Sequence, residues 1–162
     1  MRAVGCLALL TLAGCLPVAT RHASDPKPHA TVSPGAVDAF QFIVGDAAAD
    51  TDPPRVPLIE GTRYGWGVHL RTGATSVVWR EDFVLPAAPE HWGGGQDPFS
   101  AKFAPNRNLT EKRVPVPQDG WIGHTWLVAA GDPPGRYRMS VYVDGVLVHE
   151  FEFECVTVAT EP

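Results

Sequence analysis

The stretch from Pro134 to Val156, PGRYRMSVYVDGVLVHEFEFECV, constrains the fold more than any other. Tyr137, Met139, Val141 and Val143 hold alternate positions, Asp144-Gly145 follows, and Phe151, Phe153 and Cys155 then alternate with Glu150, Glu152 and Glu154. A period of two sends successive side chains to opposite faces, so this is a β-hairpin with one apolar and one wet side. Asp-Gly suits a tight type I′ turn, in which both central residues need positive φ. The apolar side of such a hairpin needs a second layer, which the rest of the chain must supply.

Further strands are legible upstream. Residues 37–44 (VDAFQFIV) put Phe40, Phe42 and Val44 on one face. Residues 58–70 contain a second strand with Tyr64, Trp66, Val68 and Leu70 in register. Gly65 and Gly67 fall on its other face, so either a neighbouring element passes close there or the strand is bulged. Residues 76–85 form a third, with Val77, Trp79, Glu81 and Phe83 in phase; a glutamate beside Trp79 suggests a face not buried to its end. Residues 109–116 form a fourth, whose end Pro115 and Pro117 place at a sheet edge. Residues 121–129 form a fifth, with Trp126 and Val128 inward. Residues 86–107, with three consecutive glycines and four prolines, read as a long irregular loop.

No sustained 3.6-residue period occurs outside the N-terminus, so the fold class is all-β, a sandwich rather than the alternative small barrel. Trp126, then Pro133-Pro134-Gly135-Arg136-Tyr137, then Val141-Tyr142-Val143-Asp144-Gly145 and a closing Phe-x-Phe resemble the last strands of immunoglobulin-like bacterial extracytoplasmic domains. The resemblance covers roughly residues 120–158. It implies a single immunoglobulin-like β-sandwich of about seven antiparallel strands, here without a cysteine pair bridging the sheets. It bears on fold more than function, since the same frame carries adhesins, chaperone-like modules and enzyme appendages.

The N-terminus bears on cell address. Arg2 precedes an apolar run from Val4 to Ala13, too short to span a bilayer. Residues 1–14 therefore read as a cleaved signal peptide, an ordinary buried helix being the alternative. Leu12-Ala13-Gly14-Cys15 resembles the bacterial lipobox. That resemblance implies cleavage before Cys15 and acylation of Cys15, with plain secretion as the alternative. Residues 15–33 would then be the lipidated N-terminus and a flexible tether, broken by Pro17, Pro26 and Pro28, and residues 34–160 the sandwich domain. Leu16 where aspartate commonly signals inner-membrane retention implies the outer membrane. Two or three acyl chains, at roughly 0.8 kcal/mol per buried methylene, give a durable anchor.

Removal of Arg2 leaves 12 of the 13 Lys+Arg against 18 Asp+Glu, a net charge of −6. Nucleic-acid binding needs a basic patch and is disfavoured. Loss of Cys6 and acylation of Cys15 would leave Cys155 as the single thiol, so no internal disulfide is expected.

Candidate chemistry is sparse. His69, His124 and His149 fall in strands without HxH or HExxH spacing, so no metal or cofactor is expected and each imidazole should be solvated or hydrogen-bonded. The serines lack the Gly-x-Ser-x-Gly elbow. Glu81 and Asp82 point to opposite faces, whereas paired carboxylates in a glycosidase lie about 5–9 Å apart across a cleft. Glu150, Glu152 and Glu154 form the wet side of a strand and discourage edge-to-edge aggregation. Cys155, in phase with Phe151 and Phe153, is a buried small hydrophobe. Gly93-Gly94-Gly95 lacks the Lys-Ser/Thr of a phosphate loop.

The loop aromatics Trp92, Phe99 and Phe103, with Trp121 after a turn, either form a contact surface or fold back to cap the core. These readings converge on a non-catalytic envelope lipoprotein module, held to the membrane by its lipid anchor and binding or scaffolding an envelope protein. The alternatives are a surface carbohydrate-binding module, which requires a platform of rings including Trp92 and Trp121, and a small extracytoplasmic hydrolase. The hydrolase requires a concave pocket lined by two or more of His69, His124 and His149 with nearby carboxylates.

Overall fold

The computed structural model describes residues 36–92 and 100–158, with only the backbone at 100–103. Among these residues ten strands form two sheets. They are β1 (Val37–Val44), β2 (Ala47–Ala48), β3 (Arg55–Pro57), β4 (Arg63–Leu70), β5 (Ser76–Val84), β6 (Ser100–Ala104), β7 (Arg107–Pro115), β8 (Trp121–Leu127), β9 (Gly135–Val143) and β10 (Val146–Val156). The smaller sheet has the order β2-β1-β4-β8 and the larger β3-β10-β9-β5-β7-β6. No helix among the described residues is long and apolar enough to cross a membrane.

The expected all-β sandwich is present, with two differences. The strand count exceeds seven because β2 and β3 are edge pieces of two and three residues and because β6 lies inside the stretch read as an irregular loop. Glycine and proline clusters on either side hide a five-residue strand that pairs antiparallel with β7. In addition, β3 runs parallel to β10, so the larger sheet is not wholly antiparallel.

The hairpin β9–β10 follows its sequence pattern. Asp144 and Gly145 turn it with φ of 47° and 82°, both positive as a type I′ turn needs. Tyr137, Met139, Val141 and Val143 are buried with Phe151, Phe153 and Cys155, while Glu150, Glu152 and Glu154 are exposed. The register slips between Leu147 and His149, a bulge that puts His149 opposite Val141 and so on the inward side. The Tyr137 hydroxyl donates to the Pro133 carbonyl at 2.7 Å, the tyrosine corner that recurs in immunoglobulin-like sandwiches.

β5 occupies the middle of the larger sheet and alternates in burial along all nine residues. Its inward residues Val77, Trp79 and Phe83 meet Trp66, Val68 and Tyr64 of the smaller sheet in one core. Trp66 stands edge-on to Trp79 with ring centroids 5.5 Å apart, an aromatic contact across the two layers. Gly65 is explained by the close passage of β8, whereas Gly67 lies under the side chains of Gln41 and Trp121. A Cβ on Gly65 would lie 2.1 Å from the His124 carbonyl oxygen, and β4 pairs with β8 without a register shift. β6 reaches along β7 only to Thr110, so among the described residues the end of β7 that carries Pro115 has no neighbour beyond β5.

Candidate functional site

The two sheets part along the side where β1 and β10 face each other. The resulting cleft, about 980 Å³ in volume, lies between β1, the 48–54 segment and β10. Its floor is aromatic: Phe42, Phe151 and Phe153 are buried, whereas Phe40 remains 55% exposed although it shares their inward phase. Phe40 stays open because β1 and β10 are the last long strands of their sheets and, among the described residues, nothing broad covers the gap. His149 lies on Phe40 with ring centroids 3.6 Å apart and meets the edge of Phe151 at 4.3 Å. Burial against these rings holds the His149 pKa below the usual imidazole value, against the opposing pull of the Glu150 charge. Asp52, Glu150, Glu152 and Glu154 border the cleft, with Arg136 as the arginine among them.

Among the described residues, both strands bordering the cleft are only partly paired on that side. β2 joins β1 at Ile43 and Val44, and the Ala49 N–H donates to the Phe42 carbonyl. β3 joins β10 only from Glu154 to Val156. Aromatic side chains, unpaired backbone edges and a carboxylate border therefore meet in one place, an arrangement suited to holding an extended chain.

A second polar constellation lies inside the core. Glu81, whose side chain is fully buried, accepts the indole N–H of Trp66 at 2.5 Å and that of Trp126 at 2.8 Å, with His124 Nδ1 at 3.3 Å. The reading of Glu81 as the sign of an exposed strand end is corrected here. Its face is buried to the end, and the carboxylate is tolerated because donors from β4 and β8 converge on it. Alternation alone cannot show this; the signal was the presence of Trp66 and Trp126, two apolar residues whose polar atoms must find partners when buried. Thr110 and Asn108, also buried, continue the polar seam along β7 and bond to each other at 3.3 Å.

The three strand histidines go to three different places. His69 Nδ1 meets Asp38 at 2.5 Å on the outer side of the smaller sheet, and this bond holds the Asp38 carboxyl below its ordinary pKa, aided by the Arg71 charge. His124 lies on Glu81, and His149 on Phe40. Hydrogen bonding thus accounts for His69 and His124, while His149 is held by stacking. Among the described residues no three His, Cys, Asp or Glu side chains gather as metal ligands would.

Nor do the four sequence-selected aromatics assemble within what the structure describes. Trp92 packs against the core beside Phe83 and Trp126 and donates its indole N–H to the Pro105 carbonyl at 3.1 Å. Trp121 lies on the outer side of the smaller sheet, its ring against His69 and over Gly67, where a Cβ would come within 3.4 Å of it. Phe99 and the glycines 93–95 lie outside the described residues, as does the Phe103 side chain. Cys15 and residues 1–35 lie outside them too. Cys155 is buried, as its phase with Phe151 and Phe153 predicts. Phe40 was not selected from sequence as a site residue, and His149 only as one of three candidate histidines, since strand position alone does not show which side of a sandwich is left open.

The sandwich has counterparts among known proteins. An immunoglobulin-like protein from Pseudomonas aeruginosa superposes with a TM-score of 0.51 at 15% identity, over 74% of this chain and 94% of that one. The two share a fold. The alkylpurine DNA glycosylase of Pseudomonas fluorescens, bound to DNA containing an abasic-site analogue, aligns with a TM-score of 0.33 at 12% identity over 72% of this chain and 30% of that one. That likeness is too weak to bear on this chain. No curated protein matches in sequence. Residues 41–156, most of the two-sheet body, match the family model described as the PM0630 beta sandwich domain, and the chain belongs to that family.

Proposed function

We propose that this chain is a protein-interaction module of the bacterial cell envelope, non-catalytic and held to the membrane by lipid on Cys15. The observation that carries the interaction reading is the cleft between β1 and β10, where aromatic rings and partly unpaired strand edges lie side by side. The hydrolase reading needs at least two of the strand histidines in one pocket, whereas His69, His124 and His149 are each engaged at a separate point. A glycan platform built on Trp92 and Trp121 is not supported, since the first packs on the core and the second on the outer side of the smaller sheet. The anchoring part rests on the Leu12-Ala13-Gly14-Cys15 sequence, and Leu16 favours the outer membrane.

Membrane fractionation and proximity labelling in the native envelope test the two parts separately. The unaltered chain should sediment with membranes and label the same envelope protein in replicate, and Cys15→Ser should release it. Unchanged fractionation of Cys15→Ser contradicts lipid anchoring. Absence of any reproducible protein neighbour contradicts the interaction role.

A further inference from the structure

We propose that the β10 edge of the cleft takes up an extended segment of a partner protein as an added strand, one in which apolar and basic residues alternate. The proposal rests on the interaction reading above and names the surface and the partner chemistry. Its first support is the backbone. The Glu154 N–H reaches the Pro54 carbonyl at 2.9 Å, so the backbone groups of Glu154 point away from β9. Glu150 and Glu152 lie in the same alternating class of pairs with β9, opposite Ser140 and Arg138, so their N–H and C=O groups point to that side too. β3 ends its pairing at Glu154, and among the described residues no strand pairs with β10 beyond it on that side.

The side chains set the occupant's pattern. An added strand places alternate residues inward and outward. Inward residues would meet Phe40 and Phe151 in the cleft, which favours aliphatic or aromatic side chains. Outward residues would lie beside Glu152. Glu150 has Arg138 at 3.9 Å and Glu154 has Arg55 at 3.7 Å, but Glu152 and Asp52 have no ion-pair partner among the described residues. Lysine or arginine on the outward positions complements Glu152, and Asp52 adds to the negative border of the cleft. A second copy of this chain added edge to edge would instead bring glutamates toward glutamates, which is unfavourable.

The test uses the full chain carrying Cys15→Ser, uniformly labelled with nitrogen-15, and two capped peptides of about ten residues, long enough to cover the edge. One alternates lysine and valine, the other glutamate and valine. The lysine–valine peptide should shift the amide signals of Glu150 and Glu152 and protect those amides from hydrogen exchange. It should bind about tenfold more tightly than the glutamate–valine peptide, and Glu152→Lys should abolish or reverse that preference. Unmoved amides at Glu150 and Glu152 overturn the proposal, as do shifts confined to the Trp121 side or concentration-dependent self-association that protects the edge without peptide. Such a result leaves the interaction module standing if proximity labelling still finds an envelope neighbour; failure of that labelling removes the module itself.

Discussion

The indole N–H of Trp126, on the four-stranded sheet, donates to Glu81, on the six-stranded sheet, at 2.8 Å. Trp66 reaches the same carboxyl group from the neighbouring strand, so one buried acceptor ties β4 and β8 to β5. An apolar residue at position 81 would leave the buried Trp66 indole donor and the partly buried Trp126 donor without their acceptor. Glu81→Ala should therefore cost about 3–5 kcal/mol in denaturant unfolding. Glu81→Gln keeps the shape and one acceptor oxygen but turns an amide donor toward an indole donor, and should cost about 1–3 kcal/mol. Equal stability of Glu81→Ala and the unaltered chain would show that the contact carries no weight in the fold.

Gly65 faces a backbone rather than a side chain. The carbonyl oxygen of His124 lies 2.1 Å from where its Cβ would be, and backbone yields only if the β4–β8 ladder shifts. Gly65→Ala is expected to destabilise by about 2–3 kcal/mol or more, because overpacking here moves a strand. Gly73→Ala, with nothing within 4 Å of its Cβ, should lie within about 0.5 kcal/mol of the unaltered chain. Thermal unfolding of the two variants side by side checks the contrast, and similar melting temperatures would refute it.

Burial pushes the Cys155 thiol up to about 12 from an ordinary 9.0. Burial also raises the phenols of Tyr137 and Tyr64. Each of these folded-state values exceeds its unfolded one, so the folded chain holds protons that the unfolded chain releases. Their contribution to stability is fully present below pH 9 and is lost as pH rises through the folded values. For Cys155 the fall between about pH 9 and 12 is roughly 1.4 kcal/mol per pH unit. Denaturant midpoints should be flat from about pH 7 to 9 with respect to these groups and drop above it. In the chain carrying Cys6→Ser and Cys15→Ser, the Cys155 thiol should react with a disulfide reagent at pH 8 only at the rate of unfolding. Reaction as fast as in denaturant would contradict its burial.

The alternation of inward and outward residues made much of this fold readable beforehand. Val37–Val44 was bounded correctly because Phe40, Phe42 and Val44 share a face, and the final hairpin because Asp144-Gly145 fixes its turn. β6 escaped because five residues with a single large apolar side chain sit between glycine- and proline-rich stretches. The parallel pairing of β3 with β10 joins residues about a hundred positions apart, and no local pattern encodes it. Glu81 was misjudged for a related reason: its donors Trp66 and Trp126 come from other strands, and only the packed sheets bring them together. Phe40 was correctly given an inward phase, yet periodicity does not say that β1 borders the open side of the sandwich.

Whether partners meet the proposed interaction module at the β1–β10 cleft is tested most directly by site-specific photo-cross-linking in cells that make the chain. Phe40 replaced by p-benzoylphenylalanine keeps an aromatic ring in the cleft, and the same substitution at Leu127, exposed on the smaller sheet away from that cleft, serves as the comparison. The account predicts a reproducible protein adduct from position 40, little or none from position 127, and loss of the position-40 adduct when Glu152→Lys is added. Adducts from position 127 alone, or from neither position, would contradict it.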